Sequence, residues 1–330
     1  MSSSLSDQSL IQNLGTPPSG TSPEVDIASG LLPKGKDATF DSWFAIGHFQ
    51  AEGHTISFLV HIMTLNANGV IVAVNGSAGI TDETTGWVGA TDIAYPAFRA
   101  KIAKDRLSLV TPNSSLEGDL RELRARAKWK NASIDVTMRP VGYPLYNKGT
   151  GRFDLLGMDV RQYSLPTLQT TGTVTIDGRE FTVEGTSWFD RQWQRQGLKL
   201  PGKWTWMDLN LDNGWRVSLW DAIATDGTPD GWATVIDESG NHTVTRLTPL
   251  IEDATDYWLT PKSGARYPTR WTVRLPDLDA AFEVVPHPRE QEVKGVLSRY
   301  EGASSVTGSV AGEPVNGYCY VEMVGDWMAT

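Results

Sequence analysis

Two short segments of the chain interleave tryptophan with carboxyl and amide side chains. Successive side chains of a β-strand point to opposite faces, so each segment, if extended, places these residues on one face. A core strand normally separates apolar from polar side chains, whereas a face with both suits a cavity that holds an apolar molecule and acts on it. The two faces comprise Trp188, Asp190 and Gln192 in residues 185–193, and Trp204, Trp206, Asp208 and Asn210 in residues 203–211.

Asp190 and Asp208 are the candidates for acid–base chemistry. A carboxyl group enclosed by indoles loses water, which raises its pKa by disfavouring the carboxylate. Such a carboxyl could protonate an alkene, or remove a proton from a neighbouring carbon, near neutral pH. A structural role is the alternative, because Arg191 follows Asp190 directly and Arg195 is close enough in sequence for an ion pair.

The five histidines do not have the spacing of a metal site. His54 and His61 are seven positions apart, so in one strand they would point to opposite faces, and there is no His-Glu-x-x-His pattern. We therefore expect no bound metal. His48 shares a predicted strand with Phe44, on the face opposite Trp43. It is either a hydrogen-bonded structural histidine or a proton carrier in the cavity.

Motifs of two common enzyme classes are missing from the sequence. Residues 76–79, Gly-Ser-Ala-Gly, lack the Lys-Ser/Thr of a phosphate loop and the spacing of a dinucleotide fingerprint. Ser187 has no glycine two positions later, so the Gly-x-Ser-x-Gly pattern of a hydrolase is absent as well. Nicotinamide-dependent and serine-hydrolase chemistry are therefore not expected.

Composition narrows the class of protein further. The net charge of −10 and the lack of a basic run argue against nucleic-acid partners and anionic membranes. Cys319 is the single cysteine, which excludes an internal disulfide framework. There is no secretory-signal pattern, and no apolar run approaches the roughly 20 residues that span a bilayer. We expect a cytoplasmic protein without stable membrane insertion.

The elements that must position these side chains are predicted to be strands. From Phe40 onward, short strands separated by turn residues recur at near-regular spacing, which is typical of a sandwich or barrel. Residues 95–104 have helical features, and so have residues 116–128, which could equally form a strand or an amphipathic turn. Residues 1–34 are rich in Ser, Gly, Pro and Thr and are predicted to form a flexible tail.

The strand pattern is interrupted between Trp193 and Lys203, at Gly197 and the Pro201-Gly202 pair. We therefore predict two β-barrel domains, residues 35–200 and residues 201–330. The two segments that carry the indoles and acids lie on either side of this predicted boundary.

Segments at the start, middle and end of residues 40–325 resemble the AttH/CrtC-like family. This lipocalin-like group contains carotenoid 1,2-hydratases and natural-product Diels–Alderases. The segments are Asp-Ser-Trp-Phe-Ala-Ile-Gly-His-Phe at 41–49, Ser-Trp-Phe-Asp-Arg-Gln-Trp at 187–193, Trp-Thr-Trp-Met-Asp-Leu at 204–209, Tyr-Glu-Gly at 300–302, and Pro-Val-Asn-Gly-Tyr-Cys-Tyr-Val-Glu-Met-Val-Gly at 314–325.

The resemblance implies a mainly β fold of two lipocalin-like (calycin) antiparallel barrels packed side by side. It also implies an apolar ligand in one barrel or at their junction, and no metal or organic cofactor. Asp190, Asp208 and His48 are then the candidate catalytic residues. The candidate substrate-binding residues are Trp43, Trp188, Gln192, Trp204, Trp206, Asn210 and Tyr163.

Two kinds of function fit this pattern. The first is a cofactor-independent enzyme of secondary metabolism acting on a polyene, terpenoid or polyketide. It would either cyclise or isomerise the substrate by holding a reactive conformer, or add and remove water by acid catalysis. The second is a non-catalytic protein that binds a lipid or pigment, with glycan stacking on exposed tryptophan as a further possibility. The sequence favours the enzyme.

Overall fold

The computed structural model describes residues 17–195, 202–295 and 298–325. Strands account for most of this length, and the described residues form two large antiparallel sheets. The first is built from β1 (Phe40–Ala51), β2 (His54–Ala67), β3 (Val70–Asp82), β4 (Trp87–Pro96), β5 (Lys101–Ile102), β6 (Leu107–Val110), β7 (Ser114–Gly118), β8 (Leu123–Trp129), β9 (Ala132–Pro140), β10 (Leu145–Tyr146), β11 (Arg152–Leu155), β12 (Met158–Ile176) and β13 (Arg179–Arg195).

The second sheet follows in the chain, with a small two-stranded ladder beside it. The ladder pairs β18 (Trp258–Leu259) with β19 (Arg266–Tyr267). The sheet contains β14 (Gly202–Leu211), β15 (Arg216–Ala224), β16 (Pro229–Ile236), β17 (His242–Arg246), β20 (Trp271–Leu275), β21 (Ala280–Pro286), β22 (Glu292–Val293), β23 (Arg299–Val310) and β24 (Glu313–Val324).

Strand order shows how each sheet curls. The first runs β4-β3-β2-β1-β13-β12-β9-β8-β7-β6-β5, and the second runs β17-β16-β15-β14-β24-β23-β21-β20. Each wraps around its own hydrophobic cluster as a half-barrel. The predicted fold class, two lipocalin-like antiparallel barrels side by side, is confirmed. The predicted boundary between residues 200 and 201, with Gly197 and Pro201, lies outside the described residues.

Helix is scarce in the described ranges. One short α-helix, α1 (Ile27–Gly30), is capped by Asp26, and the others are 3-10 turns at Gly35–Asp37, Ala97–Arg99, Asn147–Gly149, Leu250–Glu252 and Pro276–Leu278. None of these described helices has the length and apolar character needed to cross a membrane.

The two segments with helical features are largely extended. Residues 95–104 contain the end of β4, the 3-10 turn and β5, so the predicted helix is wrong. In residues 116–128 the strand alternative holds, because Leu123, Ala125 and Ala127 are buried at alternate positions of β8. A period of two places these three side chains on the core face of a strand.

The described part of the predicted tail, residues 17–34, packs against the first sheet. Val25, Ile27 and Leu31 are buried in the core of that sheet. The Trp43 indole donates a hydrogen bond to the carbonyl of Leu31 at 2.8 Å, and the Tyr163 hydroxyl donates one to the carbonyl of Ile27 at 3.0 Å. The segment therefore occupies the first half-barrel with the chain's own residues.

A third hydrophobic cluster lies between the two sheets, on their outer faces. On β1, β13, β14 and β24 the even-numbered residues face this junction, while the odd-numbered ones face the half-barrel cores. Phe44 and Trp188 of the first sheet both contact Trp206 of the second, edge to face, with ring centroids 5.6 and 6.3 Å away. The junction is thus an aromatic interface built on strand alternation.

Candidate functional site

A cavity of about 420 Å³ lies in the junction between the two sheets. One side is aromatic and aliphatic, with Trp204, Trp206 and Trp220 from the second sheet and Phe44 and Met63 from the first. The polar lining groups are Ser42, His61, Asn75, Asp92, Gln162, Asp190, Gln192, Gln194, Arg299 and Glu322. An apolar pocket with a few convergent polar groups is the usual form of a small-molecule site.

Asp190 on β13 is the buried carboxyl on the first sheet's side of the cavity. Its two oxygens accept hydrogen bonds from the Trp188 indole and the Gln162 amide, each at 2.6 Å. The Trp220 indole donates to the Gln162 oxygen at 3.1 Å, which fixes the orientation of that amide. Burial raises the pKa of Asp190 to about 7, although both hydrogen bonds favour the carboxylate. Asp190 can therefore exchange a proton near neutral pH.

A buried ionic cluster joins the two sheets at another side of the cavity. The Arg299 guanidinium of β23 lies 2.7 Å from Asp92 of β4 and 2.6 Å from Glu301, and it donates to the Ser77 hydroxyl at 3.0 Å. Burial favours the protonated form of Asp92, but the positive charge of Arg299 and the hydrogen bonds to the carboxylate together lower the pKa of Asp92. Burial raises the pKa of Glu301, while its ion pair with Arg299 opposes that shift.

Glu322 on β24 is the cavity carboxyl of the second sheet. It accepts a hydrogen bond from the Trp204 indole at 3.1 Å and is the register partner of Glu301 on β23. Burial raises the pKa of Glu322, while the charge on Arg299 opposes that shift. Glu322 is only partly buried, and it lines the cavity directly.

His61 on β2 supplies a neutral imidazole at the cavity wall. Its Nε2 lies 2.8 Å from the Ser42 hydroxyl, and the ring meets Phe44 edge to face. Burial lowers the pKa of His61 to about 3, and the nearby Arg299 charge adds to this effect. His61 is therefore uncharged at physiological pH and serves the site as a hydrogen-bonding group.

Four of the predicted site residues line the cavity: Asp190, Gln192, Trp204 and Trp206. Trp188 does not line it, and contacts the site through its hydrogen bond to Asp190. The Trp206 indole donates its hydrogen bond to the Ser218 hydroxyl at 3.1 Å and not to Asp190.

Asp208 and Asn210 lie on the expected face of β14 but beyond the cavity. The Asp208 carboxylate accepts hydrogen bonds from the Asn210 amide at 2.8 Å and from the backbone amide of Tyr320 at 2.5 Å. Burial raises the pKa of Asp208 well above the usual value for aspartate. Both of its oxygens are engaged within the packed junction, so the structure does not bring Asp208 or Asn210 to the cavity.

The remaining three predicted residues are placed by packing elsewhere. Trp43 and Tyr163 point into the first half-barrel, where they hold the carbonyls of the N-terminal segment. His48 faces the junction beyond the cavity. Its Nδ1 lies 2.9 Å from the Ser57 hydroxyl, and its ring is tilted by 34° against that of Tyr318, with centroids 4.3 Å apart. None of the three lines the cavity, because odd-numbered positions face the core and His48 lies too far along β1.

Several residues that line the cavity are not predicted from the sequence. His61 stands out there only as a possible metal ligand, and Gln162 and Arg299 carry no motif of their own. Glu322 lies in the closing segment at 314–325, where its alternation with Tyr320 was the available signal. The described residues contain no group of three or more His, Cys, Asp or Glu side chains placed to hold a metal ion.

Comparison with known proteins gives consistent matches. Residues 38–326 match the model of the AttH-like family. Dehydratase asqC of Emericella nidulans is 29% identical over 215 residues, which are 61% of this chain and 61% of that protein. Kievitone hydratase of Fusarium solani subsp. phaseoli is 26% identical over 223 residues, 64% of this chain and 62% of that protein. The aligned part of the chain therefore spans about three fifths of the length of these curated relatives.

A solved structure shows the same fold over almost the whole chain. The crystal structure of kievitone hydratase from Nectria haematococca has a TM-score of 0.77 at 19% identity, and the match covers 94% of this chain and 98% of that one.

Proposed function

Because this chain belongs to the AttH-like family, as its motifs predict, we propose that it is a hydro-lyase of secondary metabolism. It adds water to, or removes water from, a hydrophobic polyene, terpenoid or polyketide held in the junction cavity. The relatives named as a dehydratase and a hydratase support this choice over cyclisation. No organic cofactor takes part in the proposed reaction.

The main support for the proposal is the location and the raised pKa of the Asp190 carboxyl. Its carboxyl borders an apolar, indole-lined cavity, and burial raises its pKa to about 7. A protonated carboxyl at this position donates a proton to an alkene carbon, and general acids of matched pKa accelerate reactions by about 10²–10⁴-fold. In the dehydration direction the resulting carboxylate accepts the proton from carbon.

The aromatic side of the cavity complements the charge that this chemistry creates. Protonating an alkene leaves positive charge on the neighbouring carbon, and indole faces attract cations with about 0.5–2 kcal/mol each. Trp204, Trp206 and Trp220 line the cavity. They shield the hydrocarbon part of the substrate from bulk solvent and provide a surface on which a carbocation is less costly.

The test is the gain of labelled oxygen or the loss of water. We expect the purified chain, incubated in water labelled with heavy oxygen with a metabolite extract of the organism that carries its gene, to yield a hydroxylated product that carries the label or a product lighter than an extract component by one water. Asp190→Asn should reduce this turnover by about 10²–10⁴-fold. Asp221→Asn is the matched control, since Asp221 is also buried with its pKa raised by burial to about 6, yet does not line the cavity.

Two other results would contradict the proposal. A ring-forming product without label, produced equally well by Asp190→Asn, would identify a cyclase that works by shape. Stoichiometric quenching of tryptophan fluorescence by an extract component, with no product from the wild-type chain, would identify a carrier.

A further inference from the structure

We propose that Glu322 is the second proton-transfer group of the cavity, the base that accepts a proton from water when Asp190 donates one to carbon. This inference rests on the proposed function and assigns the second half of the same reaction. It makes the reaction depend on one carboxyl from each sheet.

The two carboxyls line one cavity and come from different sheets. Asp190 belongs to β13 of the first sheet and Glu322 to β24 of the second, and both line the cavity. Each accepts a hydrogen bond from an indole of its own sheet: Trp188 to Asp190 at 2.6 Å and Trp204 to Glu322 at 3.1 Å. Burial is the main cause of the raised pKa of Asp190, and the charge on Glu322 adds to it, so the two groups interact across the cavity.

Glu322 differs from the other two acids of the ionic cluster in being available. Asp92 is bound by the Arg299 guanidinium at 2.7 Å and by the Ser77 hydroxyl at 2.6 Å, which makes its carboxylate a weak base. Glu301 binds Arg299 but does not line the cavity. Among the described residues, Glu322 forms no ion pair, and its carboxylate faces the space where substrate would lie.

The surrounding charges tune Glu322 as a base. Arg299 pairs with both Asp92 and Glu301, and these two carboxylates partly offset the positive charge that it presents to Glu322. Burial raises the pKa of Glu322, and the Arg299 charge and the Trp204 hydrogen bond keep that rise limited. A partly buried carboxylate of this kind binds a proton more tightly than an exposed glutamate does.

The proposed step balances in atoms and electrons. The Asp190 carboxyl transfers its proton to one alkene carbon, whose π electrons form the new C–H bond and leave a cation on the other carbon. A water oxygen forms the C–O bond with a lone pair, and Glu322 takes one of its protons while the O–H electrons remain on oxygen. Asp190 ends ionised and Glu322 protonated, and one proton returns from Glu322 to Asp190 after product release. Dehydration follows the same path in reverse.

The test compares two neutral substitutions of buried acids in the second sheet. We expect Glu322→Gln to reduce turnover by about 10²–10⁴-fold, while quenching of tryptophan fluorescence by the bound extract component is retained. Asp221→Asn should keep near wild-type turnover, because Asp221 is also a buried acid of this sheet but does not line the cavity.

A pH profile separates a base from a structural residue. Wild-type turnover should fall at low pH, where Glu322 is protonated, and at high pH, where Asp190 is ionised. Glu322→Gln should lose the low-pH decline, and Asp190→Asn the high-pH decline. If Glu322→Gln melts at a lower temperature, added formate should restore turnover to Glu322→Ala, since a small carboxylate can enter the vacated space.

Each outcome decides the matter. The role of Glu322 would be overturned if Glu322→Gln turned over at the wild-type rate and kept both pH declines. It would also be overturned if formate did not restore turnover to a folded Glu322→Ala. The proposed function would still stand if Asp190→Asn were inactive. A wild-type chain that neither incorporates label nor releases water from an extract component would overturn both.

Discussion

The buried Arg191 is the residue whose loss we expect to be most damaging to the first half-barrel. Its side chain is fully buried, lies 2.5 Å from Asp41 and stacks over Trp43 at 4.1 Å. Its guanidinium also donates to the carbonyls of Gly30 at 2.7 Å and Leu32 at 2.9 Å. Arg191→Met preserves the apolar stem but removes the charge and every one of these hydrogen bonds.

The expected loss of stability in Arg191→Met follows from the Asp41 carboxylate and the backbone carbonyls that lose their partner. Removing one partner of a buried ion pair typically costs about 3–5 kcal/mol, because the remaining charge is uncompensated. The Gly30 and Leu32 carbonyls add about 1–3 kcal/mol each if they stay buried, but they can reach water if the N-terminal segment detaches. We therefore expect about 3–5 kcal/mol of lost stability, a large part of the roughly 5–15 kcal/mol of a typical domain.

Urea unfolding followed by tryptophan fluorescence measures this loss. Arg139→Met is the control, since Arg139 pairs with Glu122 at the surface and exposed pairs contribute about 0–1 kcal/mol. The double variant Asp41→Asn with Arg191→Met should be more stable than Arg191→Met alone, because it removes the unpaired charge. A loss below about 1 kcal/mol for Arg191→Met would contradict this expectation, because removing one partner of a buried ion pair costs more than this.

Three further predictions concern the cavity and its titrating groups. Asp190 binds its proton more tightly in the folded chain than in the unfolded chain, with a pKa of about 7 against 3.8. The free energy of unfolding should therefore fall between pH 4 and pH 7 by on the order of 4 kcal/mol. Asp190→Asn should remove this part of the pH dependence, measured by urea unfolding. His61 has a pKa of about 3, so its ring proton signals should not titrate between pH 5 and 8 in NMR spectra; a titration near pH 6.5 would contradict its burial. Trp220→Phe removes the hydrogen bond that orients Gln162, and the weaker support for the Asp190 carboxylate should move the high-pH decline of turnover to higher pH.

Strand alternation accounts for the part of the site that could be predicted from sequence. Trp188, Asp190 and Gln192 share a face because a period of two is imposed by the strand itself. The same rule placed Trp204 and Trp206 toward the first sheet, and the family motifs indicated that two sheets would meet. The fold class follows from the family resemblance. The position of Asp190 in the cavity lining follows from strand alternation.

The residues that were missed depend on contacts distant in sequence. Asp92 and Arg299 meet across the junction although 207 positions separate them in the chain. Asp208 repeats the spacing of Asp190 relative to tryptophan, yet its oxygens are occupied by Asn210 and the Tyr320 amide. How far along a strand the cavity extends is decided by the packing of the opposite sheet, which local pattern does not encode.

On β13, β14 and β24, alternate residues face different surroundings and are therefore under different evolutionary constraints. Odd-numbered positions such as Phe189 and Val321 belong to the half-barrel cores, whereas even-numbered ones such as Asp190 and Glu322 face the cavity. Substitutions that alter substrate preference can therefore accumulate between core positions without disturbing how either sheet folds. A lineage can thus diversify its chemistry while its scaffold stays under separate constraint, but neither sheet can acquire the activity by itself.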